Sequence, residues 1–230
     1  MPKHKILIVE DDRSIAEVLD YNLTNLGFDT IVASDGQNAL NQARLKLPDL
    51  VILDLMLPVL DGLSVCKHLR AHPETHNIPV LMLTAKGEET DELVGFALGA
   101  DDYVVKPFSV KIVLERVKSL LRRRGNHVNG NTEICVRGGV TIDRVKHQVS
   151  MHGKRIELTP SEFRLLDTMI RQPGRAFDRC ELIETALGAD TLVLERTIDV
   201  HIRSLRKKLG EQEDLIQTVR GIGYRFRENS

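Results

Sequence analysis

Leu50-Val51-Ile52-Leu53-Asp54-Leu55-Met56-Leu57-Pro58 is an apolar run broken by a single acid and closed by a proline. A short run this rich in branched side chains reads as a strand buried on both faces, the kind found in parallel sheets. Working outward, Ile6-Leu7-Ile8-Val9, Thr30-Ile31-Val32, Val80-Leu81-Met82-Leu83 and Tyr103-Val104-Val105 have the same character. Between them, segments near 13–25, 36–46, 61–71, 89–98 and 109–123 carry helical spacing, with starts such as Ser34-Asp35 and Ser109. Strand followed by helix, five times over, predicts an α/β fold with a doubly wound five-stranded parallel sheet.

In such sheets functional groups collect at the carboxyl edge of the strands. Glu10, Asp11 and Asp12 follow the first strand, Asp54 the third, Thr84 the fourth and Lys106 the fifth. An aspartate after a strand is ordinarily a turn former or helix cap. Four strands delivering polar groups to one edge is a different matter. Carboxylates gathered there repel one another unless a cation compensates, and hard oxygen donors suit magnesium. The pocket can host phosphoryl transfer, in which Asp54 is the nucleophile while magnesium, Lys106 and the Thr84 hydroxyl meet the phosphoryl oxygens.

After Arg122-Arg123-Arg124 the pattern changes. Residues 124–131, containing Gly125-Asn126-His127-Val128-Asn129-Gly130-Asn131, have no apolar period and read as a linker between a domain at 1–123 and another at 132–230. The second domain opens with short alternating strands near 133–136, 140–143, 148–151 and 154–158, continues with three helices and ends in a hairpin. Thr159-Pro160-Ser161-Glu162 starts the first of those helices, with Thr159 as cap.

Charge divides along the same line. Residues 1–121 hold 12 Lys/Arg against 18 Asp/Glu, residues 125–230 hold 17 against 15, and the whole chain of 230 residues sums to −1. An acidic half joined to a basic half permits nucleic-acid contact by the second. The three cysteines, Cys66, Cys135 and Cys180, are widely spaced without CxxC pairing, which argues against a disulfide framework or zinc cluster and for buried free thiols. No apolar run approaches the roughly 20 residues of a membrane span, so a cytoplasmic protein is expected.

Wound at about 100° per residue, 196–209 places Ile198, Ile202, Leu205 and Leu209 on one stripe, with Arg196, Val200, Arg203 and Lys207 opposite and Thr197 and Ser204 on the flank. Cations, hydroxyls and an exposed valine suit a helix in the DNA major groove. Gln217-Thr218-Val219-Arg220-Gly221-Ile222-Gly223-Tyr224-Arg225-Phe226 reads as a hairpin with Arg220 near its tip. A basic helix beside a basic hairpin outlines an α+β winged-helix domain, with Arg196, Thr197, Val200, His201, Arg203, Ser204, Lys207 and Arg220 as its DNA-facing candidates.

Both halves resemble one family. Val9-Glu10-Asp11, Asp54-Leu55-Met56-Leu57-Pro58 with Asp61-Gly62, Leu83-Thr84-Ala85 and Gly99-Ala100-Asp101-Asp102-Tyr103-Val104-Val105-Lys106-Pro107-Phe108 look like the receiver domain of two-component response regulators. Leu158-Thr159-Pro160-Ser161-Glu162-Phe163, Arg196-Thr197-Ile198-Asp199-Val200-His201-Ile202 and Val219-Arg220-Gly221-Ile222-Gly223-Tyr224-Arg225-Phe226 look like the effector domain of OmpR/PhoB-type regulators. The resemblance implies that Asp54 accepts a phosphoryl group from a sensor histidine kinase, and that Glu10, Asp11, Asp54 and the Met56 carbonyl surround Mg2+. It implies that Thr84 and Tyr103 form a switch pair, that Lys106-Pro107 is cis, and that Asp12 caps a helix. A phosphorylated homodimer would bind promoter DNA. The chemistry at Asp54 would be confined to forming and losing the chain's own acyl phosphate. A phosphatase acting on external substrates would need an acid two residues after the nucleophile, where Met56 stands.

The chain also departs from that family pattern. Ser204 stands where a second base-reading arginine is frequent, and Leu187-Gly188 where a Trp-Gly often meets RNA polymerase. Glu92 and Ile112 replace an ion pair used in receiver dimerisation, which leaves Asp102 and Arg116 as the candidates for another across a two-fold axis.

Overall fold

The computed structural model describes residues 3–85, 99–125, 134–188 and 195–228. The helix expected near 89–98, Glu92 within it, and residues 126–131 of the expected linker lie outside these. The chain divides into two compact units, Met1–Arg122 and Arg123–Ser230.

In the first unit, β1 (Lys5–Val9), β2 (Asp29–Ala33), β3 (Leu50–Asp54), β4 (Val80–Ala85) and β5 (Asp102–Lys106) form one sheet in the order β2-β1-β3-β4-β5, every neighbouring pair parallel. That order reverses between β1 and β3, which opens a crevice at their carboxyl ends. Helices α1 (Arg13–Asn25), α2 (Gly36–Lys46), α3 (Gly62–Ala71) and α4 (Val110–Gly125) accompany it. The apolar runs became strands because both faces are covered: Ile6, Leu7, Ile8 and Val9, like Leu50, Val51, Ile52 and Leu53, have no exposed surface.

Aspartates start three of these helices. The Asp12 side chain accepts from Ser14 N at 2.8 Å, Asp35 from Asn38 N at 2.8 Å and Asp61 from Ser64 N at 2.8 Å. Immediately after Asp61, Gly62 lies so close to β3 that a Cβ there would come within 2.1 Å of the Asp54 carbonyl oxygen. Only a residue without a side chain lets α3 start against that strand.

The second unit begins with a four-stranded antiparallel sheet of β6 (Ile134–Arg137), β7 (Val140–Asp143), β8 (Gln148–Met151) and β9 (Lys154–Ile156), in that order. Helix α5 (Pro160–Arg171) opens with a full capping box between Thr159 and Glu162. A two-residue strand β10 (Phe177–Asp178) precedes α6 (Arg179–Leu182), which runs on into a π-helical turn at Ile183–Gly188. Then come α7 (Arg196–Leu209), a 3-10 turn at Gly210–Leu215, and the hairpin of β11 (Ile216–Val219) and β12 (Gly223–Phe226). Strand β10 pairs with β12, so the hairpin is part of a three-stranded sheet ordered β10-β12-β11. Phe163, Leu166, Ile170, Phe177, Ile198, Ile202, Leu205 and Phe226 share one core.

One expectation from sequence is corrected here. Of the cysteines only Cys66 is buried, and burial pushes its thiol up to about 11 despite the nearby Arg70 guanidinium; Cys135 is half-buried and Cys180 exposed. Asp102 and Arg116, expected at a two-fold interface, pair with each other within the chain, Arg116 Nη1 donating to Asp102 Oδ2 at 3.2 Å with side chains 6% and 0% exposed. The reason is topological: Asp102 starts the last strand of the sheet and Arg116 lies on the helix packed over it, so the pair closes beneath the surface.

Two measurements follow from these contacts. Arg116→Ala removes the cation facing a buried carboxylate and should cost the first unit about 3–5 kcal/mol, with a chemical-denaturation midpoint that does not vary with protein concentration. Loss of the Asp61 cap in Asp61→Ala should cost about 1 kcal/mol at neutral pH. The Ser64 N–H and hydroxyl hold the Asp61 carboxyl below the usual aspartate range. Its stabilisation is therefore present above the unfolded-state value and disappears as pH falls through the lower folded-state value. Denaturation curves of Asp61→Ala and the parent should converge on acidification.

Candidate functional site

The sheet register brings the predicted pocket together. Val9 lies beside Leu53, Asp54 beside Leu83, Thr84 beside Val105 and Ala85 beside Lys106, so the ends of β1, β3, β4 and β5 present their polar residues on adjacent rows. Glu10, Asp54 and Thr84 are buried at 1%, 3% and 4% exposure, while Asp11 is exposed at the mouth. The Lys106 ammonium reaches across from β5 and donates to Glu10 Oε1 at 2.9 Å, Glu10 Oε2 at 2.8 Å and Asp54 Oδ2 at 2.8 Å.

Burial pushes the Glu10 carboxyl up to about 7, with the Asp54 charge adding to the shift and the Lys106 ammonium opposing it. Burial also works against the Lys106 charge, but the Asp54 and Glu10 carboxylates outweigh it and hold that ammonium above its ordinary range. One cation thus faces more negative charge than it can neutralise. Carboxylate oxygens of Glu10, Asp11 and Asp54 all lie within 4.8 Å of one another. This hard, all-oxygen, partly solvent-facing set fits a small divalent cation that keeps several waters. When bound, such an ion supplies charge neutralisation to a phosphoryl group.

Around this centre, Met56 N donates to Asp54 Oδ1 at 3.4 Å, and the Met56 side chain points into solvent with 74% of it exposed. Tyr103 is buried on β5 at 5% exposure, deeper than a half-buried strand aromatic, and the Lys106–Pro107 peptide is cis. Asp12 caps α1 and so stands apart from the cation-binding set.

In the second unit, α7 spans the expected 196–209, and Arg196, Arg203 and Lys207 are exposed with Val200 half-buried among them. Arg220 is exposed at the hairpin tip, where Ile222 N donates to Val219 O at 3.0 Å and Gly221 takes the positive φ of 75° that the turn requires. Three residues expected to face DNA do not. Thr197 and His201 are buried at 1% exposure, because α5 and α6 both pack on this helix and widen its buried arc beyond the four-residue stripe. Ser204 is half-buried and turned inward, its hydroxyl donating to Glu162 Oε1 at 2.6 Å.

Glu162 was not singled out from sequence beyond its place in the cap motif. Its buried carboxylate accepts from Thr159 N at 2.8 Å, from Ser204 Oγ and from Lys208 Nζ at 2.6 Å, tying the start of α5 to the far end of α7. The capping box was the only legible trace of it, since nothing local in sequence reports a partner 42 or 46 residues away.

Comparison with known proteins agrees with this geometry. The family profile "Response regulator receiver domain" matches residues 6–118, and "Transcriptional regulatory protein, C terminal" matches 153–226. The chain is 44% identical to the phosphate regulon transcriptional regulatory protein PhoB of Rhizobium meliloti over 222 residues, 96% of this chain and 97% of that one. It is 41% identical to PhoB of Escherichia coli K12 over 224 residues, with the same coverage of 96% and 97%. Among solved structures, a RitR mutant superposes with a TM-score of 0.81 at 26% identity, covering 98% of this chain and 100% of that one. DrrB of Thermotoga maritima, an OmpR/PhoB homologue, gives a TM-score of 0.51 at 32% identity, covering 99% and 100%. With the acidic pocket on one unit and the winged helix on the other, the chain belongs to the OmpR/PhoB family of two-component response regulators and is a phosphorylation-dependent transcriptional regulator.

Proposed function

We propose that Asp54 is the phosphoacceptor, on the strength of one observation: the buried Asp54 carboxylate shares the Lys106 ammonium with Glu10 at the open end of the sheet. The donor is a phosphohistidine of a sensor kinase. An Asp54 oxygen attacks phosphorus, the P–N bond breaks, and the histidine nitrogen leaves with the electron pair. Glu10, Asp11, Asp54 and the Met56 carbonyl hold Mg2+, which offsets charge on the phosphoryl oxygens. Lys106 pairs with one of those oxygens and the Thr84 hydroxyl donates to another, while Tyr103 follows Thr84 as the second half of the switch. The acyl phosphate later hydrolyses in the same pocket, and no external ester is turned over.

The added charge of about −1.5 to −2 biases the receiver (1–123) toward a homodimer. The linker expected at 124–131, whose first two residues fall in α4, then sets the reach of two winged-helix domains (132–230) on promoter DNA. The dimer forms on the face that carries Asp102 and Arg116, which pair within the chain. On DNA, Arg196, Val200, Arg203 and Lys207 face the major groove and Arg220 tracks a phosphate strand or minor groove; Thr197, His201 and Ser204 support the helix from inside. RNA polymerase is a further partner of the DNA-bound dimer. The regulator works in the cytoplasm, where its DNA-binding domain meets promoter DNA; no helix among the described residues is long and apolar enough to cross a membrane.

Acetyl phosphate with Mg2+ should place one phosphate on the chain by intact-mass spectrometry and shift it to dimer in light scattering. Asp54→Asn should abolish both responses, and phosphate persisting on that variant would move the acceptor elsewhere. For the DNA face, Arg203→Ala and Arg220→Ala should each weaken duplex binding by about 1–3 kcal/mol. Each should also lower the slope of log affinity against log salt by about one. Unchanged isotherms across salt would remove those residues from the interface.

A further inference from the structure

The hairpin and the recognition helix are joined by side chains as well as by the core. Asp199, in the first turn of α7, accepts with a single oxygen, Oδ1, from Arg179 Nε at 2.8 Å and from the Tyr224 hydroxyl at 2.7 Å. Tyr224 belongs to β12, the central strand of the three-stranded sheet, where it lies opposite Thr218 on one side and Phe177 on the other. Further along the same helix, Arg206 donates through Nε at 3.0 Å and Nη2 at 2.7 Å to the Ile216 carbonyl, and through Nη2 at 2.8 Å to Thr218 Oγ1. The Arg206 and Arg179 guanidinium carbons stand 5.6 Å and 5.3 Å from the Tyr224 ring centroid.

Residues 199 and 206 are two turns apart on one flank of the helix, about 10 Å along its axis. Two attachment points at that separation resist both sliding and tilting of the hairpin against the helix. The Arg179 and Asp199 side chains are 28% and 42% exposed, and an ion pair so open to water adds little to stability. The packed apolar core already holds the domain together. What the polar joint adds is orientation.

We propose that Asp199 and Arg206, with Tyr224 and Arg179 as their partners, are positioning residues for DNA binding. They fix the angle between recognition helix and wing so that Arg203 and Arg220 engage one duplex at once. The inference rests on the DNA face proposed above and adds its mechanical requirement. Once the helix has docked, a rigidly held wing meets its strand at a high effective concentration, and a wing on a loose joint does not. The contribution of Arg220 therefore depends on the joint.

The experiment measures how much affinity Arg220→Ala removes in two backgrounds, using the full chain and a duplex selected by the parent protein from a random-sequence pool. Asp199→Asn with Arg206→Lys loosens the joint and preserves the arginine's positive charge; Tyr224→Phe deletes only the hydroxyl, so that the ring still fills its place. In the parent, Arg220→Ala should weaken binding about tenfold, and in the loosened backgrounds less than about threefold. A merely structural joint would lower the melting temperature and leave that ratio the same in every background, which would overturn the inference. If Arg220→Ala were harmless in the parent, the wing would not touch DNA, and the DNA-face reading would fall together with the joint built on it.

Discussion

A single ammonium standing between two buried carboxylates organises the receiver half. Glu10 and Asp54 sit on neighbouring strands under almost no solvent, an arrangement that raises the energy of their charged forms, and Lys106 comes from two strands away to offset it. For the three to meet, β5 must run two rows past the end of β3, so that Lys106 falls on the same face as Asp54 and reaches back over it. The parallel register therefore does chemical as well as structural work. A one-row slip of β5 would carry Lys106 to the opposite face of the sheet and leave the acids without their cation. The residual excess of negative charge makes the pocket receptive to a further cation and, through it, to a phosphoryl group.

The sheet and its edge were legible because each depends on local pattern. Runs buried on both faces carry no alternation to misread, and the strand ends announce themselves where polar residues interrupt Val9-Glu10 and Leu53-Asp54. The helix at 196–209 was equally clear, because its four core residues return at helical spacing. Strand β10 was not, since two residues, Phe177 and Asp178, cannot show a period of two; it exists because β12 offers an unpaired edge.

What sequence could not supply was the identity of partners distant along the chain. A helical wheel divides α7 into inside and outside, but cannot say how many elements press on it, so Thr197 and His201 fell on the wrong side of the line. Asp102 and Arg116 look like free charges when read one at a time. Only the packing of α4 over β5 shows that they are each other's counterions. The same holds for Ser204, whose small hydroxyl appears suited to a groove and is engaged by a carboxylate 42 residues earlier.

That last contact bears on any attempt to redirect this regulator to new promoters by helix grafting. The outward residues of α7 are the obvious cargo of such a graft, yet the helix is seated by its inward ones. A transplanted helix lacking Ser204 and Lys208 would strand the buried Glu162 carboxylate with only its own cap to satisfy it, and a larger side chain at 204 would have to find room at the mouth of that site. Portability of sequence preference here is thus limited by the seat of the helix, and a workable exchange carries the α5 cap and the α7 helix as a single module.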